Sequence, residues 1–223
     1  MGLNSKPLES ATFYGIVDTG YVAHSDIAEK TAALKNAGAK IIQLRAKKED
    51  DKTRRELAYK ILPLFETPDA PFFIINDDIP LAAEICKKIP NAGAHVGQDD
   101  QPPAEVRKIL GKNAVIGLST HSLQQATAAD ALWETLDYFA VGPVFATQTK
   151  PGRPAVGLEL VKEVAKMKTH LPWFAIGGIN TKTANEVYNA GAKRIVAVSD
   201  VLLPADTSAA VATLLNAFNP ANL

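Results

Sequence analysis

The sequence predicts an α/β fold, a single (β/α)8 TIM barrel, and three observations carry that prediction. Short apolar runs rich in Ile, Val and Phe alternate with stretches of helical periodicity from about Thr12 to the C-terminus. Eight strand candidates can be read, each followed by a helical window. At 223 residues the chain is close to the roughly 250 typical of that architecture. An open doubly wound sheet is the rival, but that fold carries a glycine fingerprint after its first strand. Here the first strand runs into Asp18-Thr19-Gly20-Tyr21 instead.

In chain order the strands are FYGIVD at 13–18, KIIQLR at 40–45, FFIIN at 72–76, GAHVG at 93–97, AVIGLS at 114–119, YFAVG at 138–142, WFAIGG at 173–178 and RIVAVS at 194–199. Each is a short, nearly continuous apolar run, as expected of a parallel strand covered on both faces. The helical windows are 27–38, 52–65, 80–89, 103–110, 122–132, 157–168, 181–190 and 207–218. In the first, Ile27, Leu34 and Ala37 mark an apolar side and Gly38 supplies a stop. No linker or composition step divides the chain, so residues 1–11 read as an N-terminal tail and 12–223 as one catalytic barrel domain.

Composition narrows the function classes. The 24 Lys and Arg balance 24 Asp and Glu, which removes any global pull toward nucleic acid or anionic lipid. No apolar run approaches the roughly 20 residues of a membrane helix. Cys86 is the single cysteine, so neither an intramolecular disulfide nor a cysteine metal knuckle can form. The opening MGLNSKPLES lacks a signal-peptide pattern, and a cytoplasmic setting is the expectation. Small-molecule substrates are the expected partners, with no nucleic acid and no membrane; a homo-oligomer is compatible with the sequence.

In barrel enzymes the active site lies where strands end and βα loops begin. Strand two ends in Gln43-Leu44-Arg45-Ala46-Lys47, and the two-residue period puts Gln43, Arg45 and, if the strand extends that far, Lys47 on one face, with Ile42, Leu44 and Ala46 packing under the helices. Two cations at a barrel mouth call for an anion. Strand three ends in Asn76-Asp77-Asp78 and strand four runs into Gly97-Gln98-Asp99-Asp100. Carboxylates on neighbouring strand ends suit Mg2+, which takes one or two of them plus phosphate oxygens. Asp78 and Asp99 read as helix caps.

Strand five closes in Ser119-Thr120-His121-Ser122, where Ser119 suits a phosphate and Ser122 a helix cap; a Ser–His nucleophile there lacks a Gly-x-Ser-x-Gly elbow. The loop from Gly142 to Gly152 offers Thr147, Thr149 and Lys150 as oxyanion ligands. Gly177-Gly178 and Val198-Ser199-Asp200 fall after strands seven and eight, the recurrent barrel phosphate site. His95, Trp133 and Trp173 read as packing residues, and His121 alone of the histidines lies near the site.

Taken together, QLRAK, ND, GAHVGQDD, GLSTHS, VGPVFATQTK, AIGGI and AVS, in this order and on successive strands, resemble the thiamine-phosphate synthase family over residues 12–218. The resemblance implies a transferase of thiamine biosynthesis that joins an aminomethyl-pyrimidine diphosphate to a thiazole phosphate with Mg2+. It implies substrate binding along Gln43, Leu44, Arg45, Ala46 and Lys47, at Asn76 and Ser119, along Thr147, Gln148, Thr149 and Lys150, and at Gly178, Val198 and Ser199. Asp77 and Asp100 would hold Mg2+, and Arg45, Lys47, Lys150 and Ser119 would be catalytic. Two other readings of such a barrel are a thiazole tautomerase-like relative and an aldolase with Lys150 as its Schiff-base lysine.

Overall fold

The computed structural model describes residues 8–147 and 154–219, so Gln148, Thr149 and Lys150 lie outside the described residues. Eight parallel strands close into one barrel in sequence order, with β1 hydrogen-bonded to both β2 and β8. They are β1 (Phe13–Asp18), β2 (Ile41–Arg45), β3 (Phe72–Asn76), β4 (Ala92–Val96), β5 (Val115–Thr120), β6 (Tyr138–Val141), β7 (Trp173–Ile176) and β8 (Ile195–Ala197). The helices are α1 (Ile27–Asn36), α2 (Asp51–Ile61), α3 (Ile79–Cys86), α4 (Pro103–Leu110), α5 (Leu123–Ala131), α6 (Gly157–Lys166), α7 (Ala184–Asn189), α8 (Ser199–Leu202) and α9 (Thr207–Phe218). The expected TIM barrel is the observed fold.

Where elements end differently from the sequence reading, local chemistry explains it. The second helical window breaks at Ile61 and continues as a 3-10 turn over Leu62–Phe65, because Pro63 has no N–H to extend the α ladder. The seventh window starts late, at Ala184, because the Asn180 carboxamide oxygen accepts from the Lys182 N–H and the Thr183 hydroxyl from the Asn180 N–H, a turn that competes with helix. Strand β7 stops at Ile176, two residues early, since Gly177 and Gly178 take φ of 103° and 64°. Strand β8 stops at Ala197, and Ser199 and Asp200 belong to the short helix α8 rather than to a strand end.

The period of two sorts side chains into two cores. One lies between strands and helices and includes Val17, Leu44, Ala46, Val96 and Leu118. The other fills the barrel and comprises Tyr14, Ile16, Ile41, Ile74, Val115, Tyr138, Phe174 and Val196, together with Leu8 and Ala11. Leu8 and Ala11, expected in a tail, are fully buried against the barrel interior, and Glu9 accepts at its carbonyl from Arg194. The segment therefore belongs to the barrel from Leu8 onward.

A buried ion pair ties a helix to the strands away from the strand C-termini. Arg107 on α4 reaches Asp137, just before β6, at 2.7 Å, and Asp137 also accepts from the Ile116 N–H at 2.9 Å. The same guanidinium donates to the carbonyls of Thr135 and Ala114.

Candidate active site

The strand C-termini surround a cavity of about 670 Å3. Of the residues expected in the site, Gln43, Arg45, Asn76, Ser119, Thr147, Gly178, Val198 and Ser199 line it, contributed by β2, β3, β5 and the loops after β6, β7 and β8. Leu44 and Ala46 do not present side chains to it. Both are buried in the outer core, because odd and even positions of a strand face opposite ways, so only their backbone can serve a ligand.

The two cations of β2 and its loop are already balanced by the protein. The Arg45 guanidinium donates to the buried carboxylate of Asp18, whose other oxygen accepts from the Gly20 N–H at 2.8 Å. Lys47 Nζ lies 2.9 Å from an Asp77 carboxylate oxygen. The expectation that a bound anion alone would balance these charges is thus corrected: each is paired, and a ligand joins existing pairs.

Asp77 is the only non-glycine residue with positive φ among the described residues, at 61°. Aspartate tolerates that left-handed conformation better than most residues, and such strain gathers at functional sites. Burial pushes the Asp77 carboxyl above the usual carboxylate range; Lys47 works against this and the neighbouring Asp100 adds to it. Asp100 is held by the Gly97 N–H, which donates to it at 2.7 Å. Two hard carboxylate oxygen donors side by side at the rim fit a Mg2+ ion completed by phosphate oxygens. No cluster of three or more metal-ligating side chains exists among the described residues.

Asp78 caps α3 as expected, accepting from the Leu81 N–H, and pairs with Arg54 at 2.9 Å. Asp99 does not cap α4: the cap position is Pro102, followed by Pro103, whose missing N–H needs no partner. Ser122 caps α5 as expected.

At the opposite wall, glycine is required for packing. A Cβ on Gly178 would come within 2.7 Å of Phe145 Cβ and 2.9 Å of the Ala146 carbonyl, and one on Gly177 within 2.5 Å of Pro143. The loop after β6 lies along β7, with the Val144 N–H donating to Ile176 O at 2.8 Å and the Phe145 N–H to Gly177 O at 3.0 Å. This brings Thr147 to the same cavity as Gly178, Val198 and Ser199.

Other residues line the cavity as well, among them Tyr14 and His95, which the sequence did not assign to the site, and Asp200 of the Val198-Ser199-Asp200 run. Tyr14 and His95 form part of its floor, and Asp200 part of its wall, its carboxyl raised by burial. Gln43 Nε2 donates to the Tyr14 hydroxyl at 2.6 Å, the Tyr14 and Tyr138 hydroxyls are 3.0 Å apart, and His95 bridges Tyr138 (Nδ1, 3.1 Å) and Ser119 (Nε2, 2.9 Å). His95 is buried, as read from the sequence, yet its partners connect two expected substrate ligands.

A family model described as TMP-TENI, thiamine monophosphate synthase, matches residues 13–201. The thiamine-phosphate synthase of Saccharopolyspora erythraea is 40% identical over 214 residues, covering 93% of this chain and 92% of its own. That of Thermobifida fusca is 41% identical over 211 residues, covering 94% and 93%. The thiamine phosphate pyrophosphorylase of Pyrococcus furiosus superposes with a TM-score of 0.70 at 27% identity, over 97% of this chain and 98% of its own. With the similarity running through the whole barrel and every strand end of the cavity, the chain belongs to the thiamine-phosphate synthase family, and its activity is that transferase activity of thiamine biosynthesis.

Proposed function

We propose that the reaction is the Mg2+-dependent coupling of 4-amino-2-methyl-5-hydroxymethylpyrimidine diphosphate with 4-methyl-5-(2-hydroxyethyl)thiazole phosphate, giving thiamine monophosphate and diphosphate by dissociative substitution. The observation that carries this reading is the juxtaposition of Lys47, Asp77 and Asp100 at the rim, beside Arg45 and Asn76 in the cavity wall. An enzyme handling only the thiazole phosphate, as in the tautomerase reading, has no use for a carboxylate pair and two cations there.

Asp77 and Asp100 would hold Mg2+, which when bound neutralises charge on the diphosphate oxygens. Arg45 and Lys47, with Lys150 from the loop, stabilise the negative charge that grows as the bond from methylene carbon to diphosphate oxygen breaks and its electron pair leaves. Gln43, Asn76 and Ser119 orient the pyrimidine. Thr147 and Thr149, with Gly178, Val198 and Ser199, hold the thiazole phosphate so that the ring nitrogen faces the carbon. Its lone pair then forms the new C–N bond, with no protein nucleophile. Holding both partners before ionisation supplies the entropic advantage.

A trifluoromethyl group in place of the pyrimidine 2-methyl tests the mechanism, since it withdraws electrons from the cation. Dissociative substitution predicts a single-turnover rate lower by about a hundredfold or more; an unchanged rate supports direct displacement instead. The setting that fits this chemistry is cytoplasmic, and among the described residues no helix is long and apolar enough to cross a membrane.

A further inference from the structure

We propose that Tyr14, Tyr138 and His95 are positioning residues forming a one-way hydrogen-bond relay that fixes the Gln43 carboxamide with its carbonyl oxygen available to the ligand. The cavity floor is thereby set to take a heteroaromatic ring bearing an amine donor rather than its oxo counterpart. This rests on the aminopyrimidine reading above and goes beyond it by naming what sets the selectivity.

The direction of the relay follows from the Gln43 amide, whose nitrogen faces Tyr14, together with proton counting. Tyr14 and Tyr138 are fully buried, and burial pushes both phenols up, so each keeps one hydrogen to place. The Tyr14 hydroxyl accepts from Gln43 Nε2, so its own hydrogen can go only to Tyr138. The Tyr138 hydroxyl, having accepted from Tyr14, donates in turn to His95 Nδ1. With Gln43 Nε2 as the donor, any other arrangement strands the Tyr14 hydrogen in the core, which costs more than the bond is worth; only a Gln43 amide turned over would reverse the whole chain. His95 is then neutral and carries its proton on Nε2, which donates to Ser119 Oγ. That is the reverse of what a serine nucleophile needs from its base.

Packing holds the relay rigid. Phe174 stands edge-on to both tyrosines, with ring centroids at 5.5 and 5.6 Å, and the His95 ring lies 5.5 Å from that of Tyr138. Gly117 makes the room: a Cβ there would sit 2.5 Å from the Tyr138 hydroxyl and 2.6 Å from His95 Nδ1. With one Nε2 hydrogen committed to Tyr14, the orientation of the amide is fixed and its carbonyl oxygen is left available to a ligand. An amine donor on the ligand satisfies it; a carbonyl in the same place faces it lone pair to lone pair.

The test pairs two measurements on the full-length protein. Tyr138→Phe and Tyr14→Phe each remove one hydroxyl and let the Gln43 amide turn over. The ratio of kcat/KM for the 4-amino over the 4-oxo pyrimidine diphosphate should fall about tenfold in each, carried by the pyrimidine KM, with the thiazole phosphate KM unchanged. If Tyr138→Phe folds poorly, Tyr14→Phe interrogates the next link. A ratio within twofold of wild type in the folded variants overturns the relay. Separately, 15N NMR of the ligand-free protein, with His95 assigned by its loss in His95→Gln, should show the Nε2–H tautomer and an Nδ1 shift that moves in Tyr138→Phe. An Nδ1–H tautomer in wild type means the relay runs the other way and overturns the inference. The NMR result does not depend on turnover, so absence of thiamine monophosphate would count against the proposed reaction and leave the relay to be decided by the tautomer.

Discussion

Asp18 and Arg45 are register partners at the C-terminal ends of adjacent strands β1 and β2, and their side chains meet there as an ion pair. The guanidinium thus enters the cavity already aimed. Asp18→Asn should leave a nearly buried cation without its counter-charge, at a cost of about 3 kcal/mol. In thermal denaturation that is a midpoint lower by about 6–12 °C for a chain of this size. Turnover should fall as well, because Arg45 loses its aim; a variant as stable and active as wild type would show that the pair does neither.

Asp100→Asn should separate metal use from folding. The carboxamide oxygen can still accept from the Gly97 N–H, so the melting midpoint should stay within about 2 °C of wild type. At fixed Mg2+, turnover should drop about a hundredfold, with partial recovery as Mg2+ is raised. A Mg2+ titration of initial rate reads both effects.

The Asp77 carboxyl gives a pH dependence of definite sign. Burial, reinforced by Asp100 and opposed by Lys47, raises its folded pKa above the unfolded value of about 3.9. Its contribution to stability is therefore fully present below the unfolded value and lost as pH rises through the folded one. Asp77→Asn removes a charge the fold disfavours. With chelator present, it should melt higher than wild type at pH 8, and the difference should shrink as pH falls toward 4. Its activity should be lost throughout. A variant that melts lower at pH 8 would reverse the sign.

Asp137 provides the contrasting case, since its partners are structural. Asp137→Ala leaves Arg107 and the Ile116 N–H without their shared acceptor, and stability should fall by about 3 kcal/mol in chemical denaturation. Below the transition the substrate KM values should match wild type, because neither residue lines the cavity.

Much of this was legible along the chain. Strands β1 and β3 and helices α4 and α9 have the bounds that the apolar runs and caps predict. Period-two alternation likewise places Gln43 and Arg45 in the cavity and Leu44 under the helices. Periodicity reports which way a side chain faces; it does not report whom it meets. Asp18, which Arg45 meets, is 27 residues upstream, and Tyr138, one of the partners of His95, is 43 residues downstream, each brought close only when the barrel closes. Along the chain Asp18 and Tyr14 therefore read only as members of the first strand. Lys47 lies beyond the end of β2, so strand alternation does not govern it; the loop nonetheless delivers it to Asp77.

Incubating the purified protein with the aminopyrimidine diphosphate and the thiazole phosphate, with and without Mg2+, tests the proposed reaction at its root. Thiamine monophosphate and diphosphate should appear one to one, only when both substrates are present, and at a rate that falls when Mg2+ is chelated. Absence of thiamine monophosphate under every divalent-metal condition would contradict it.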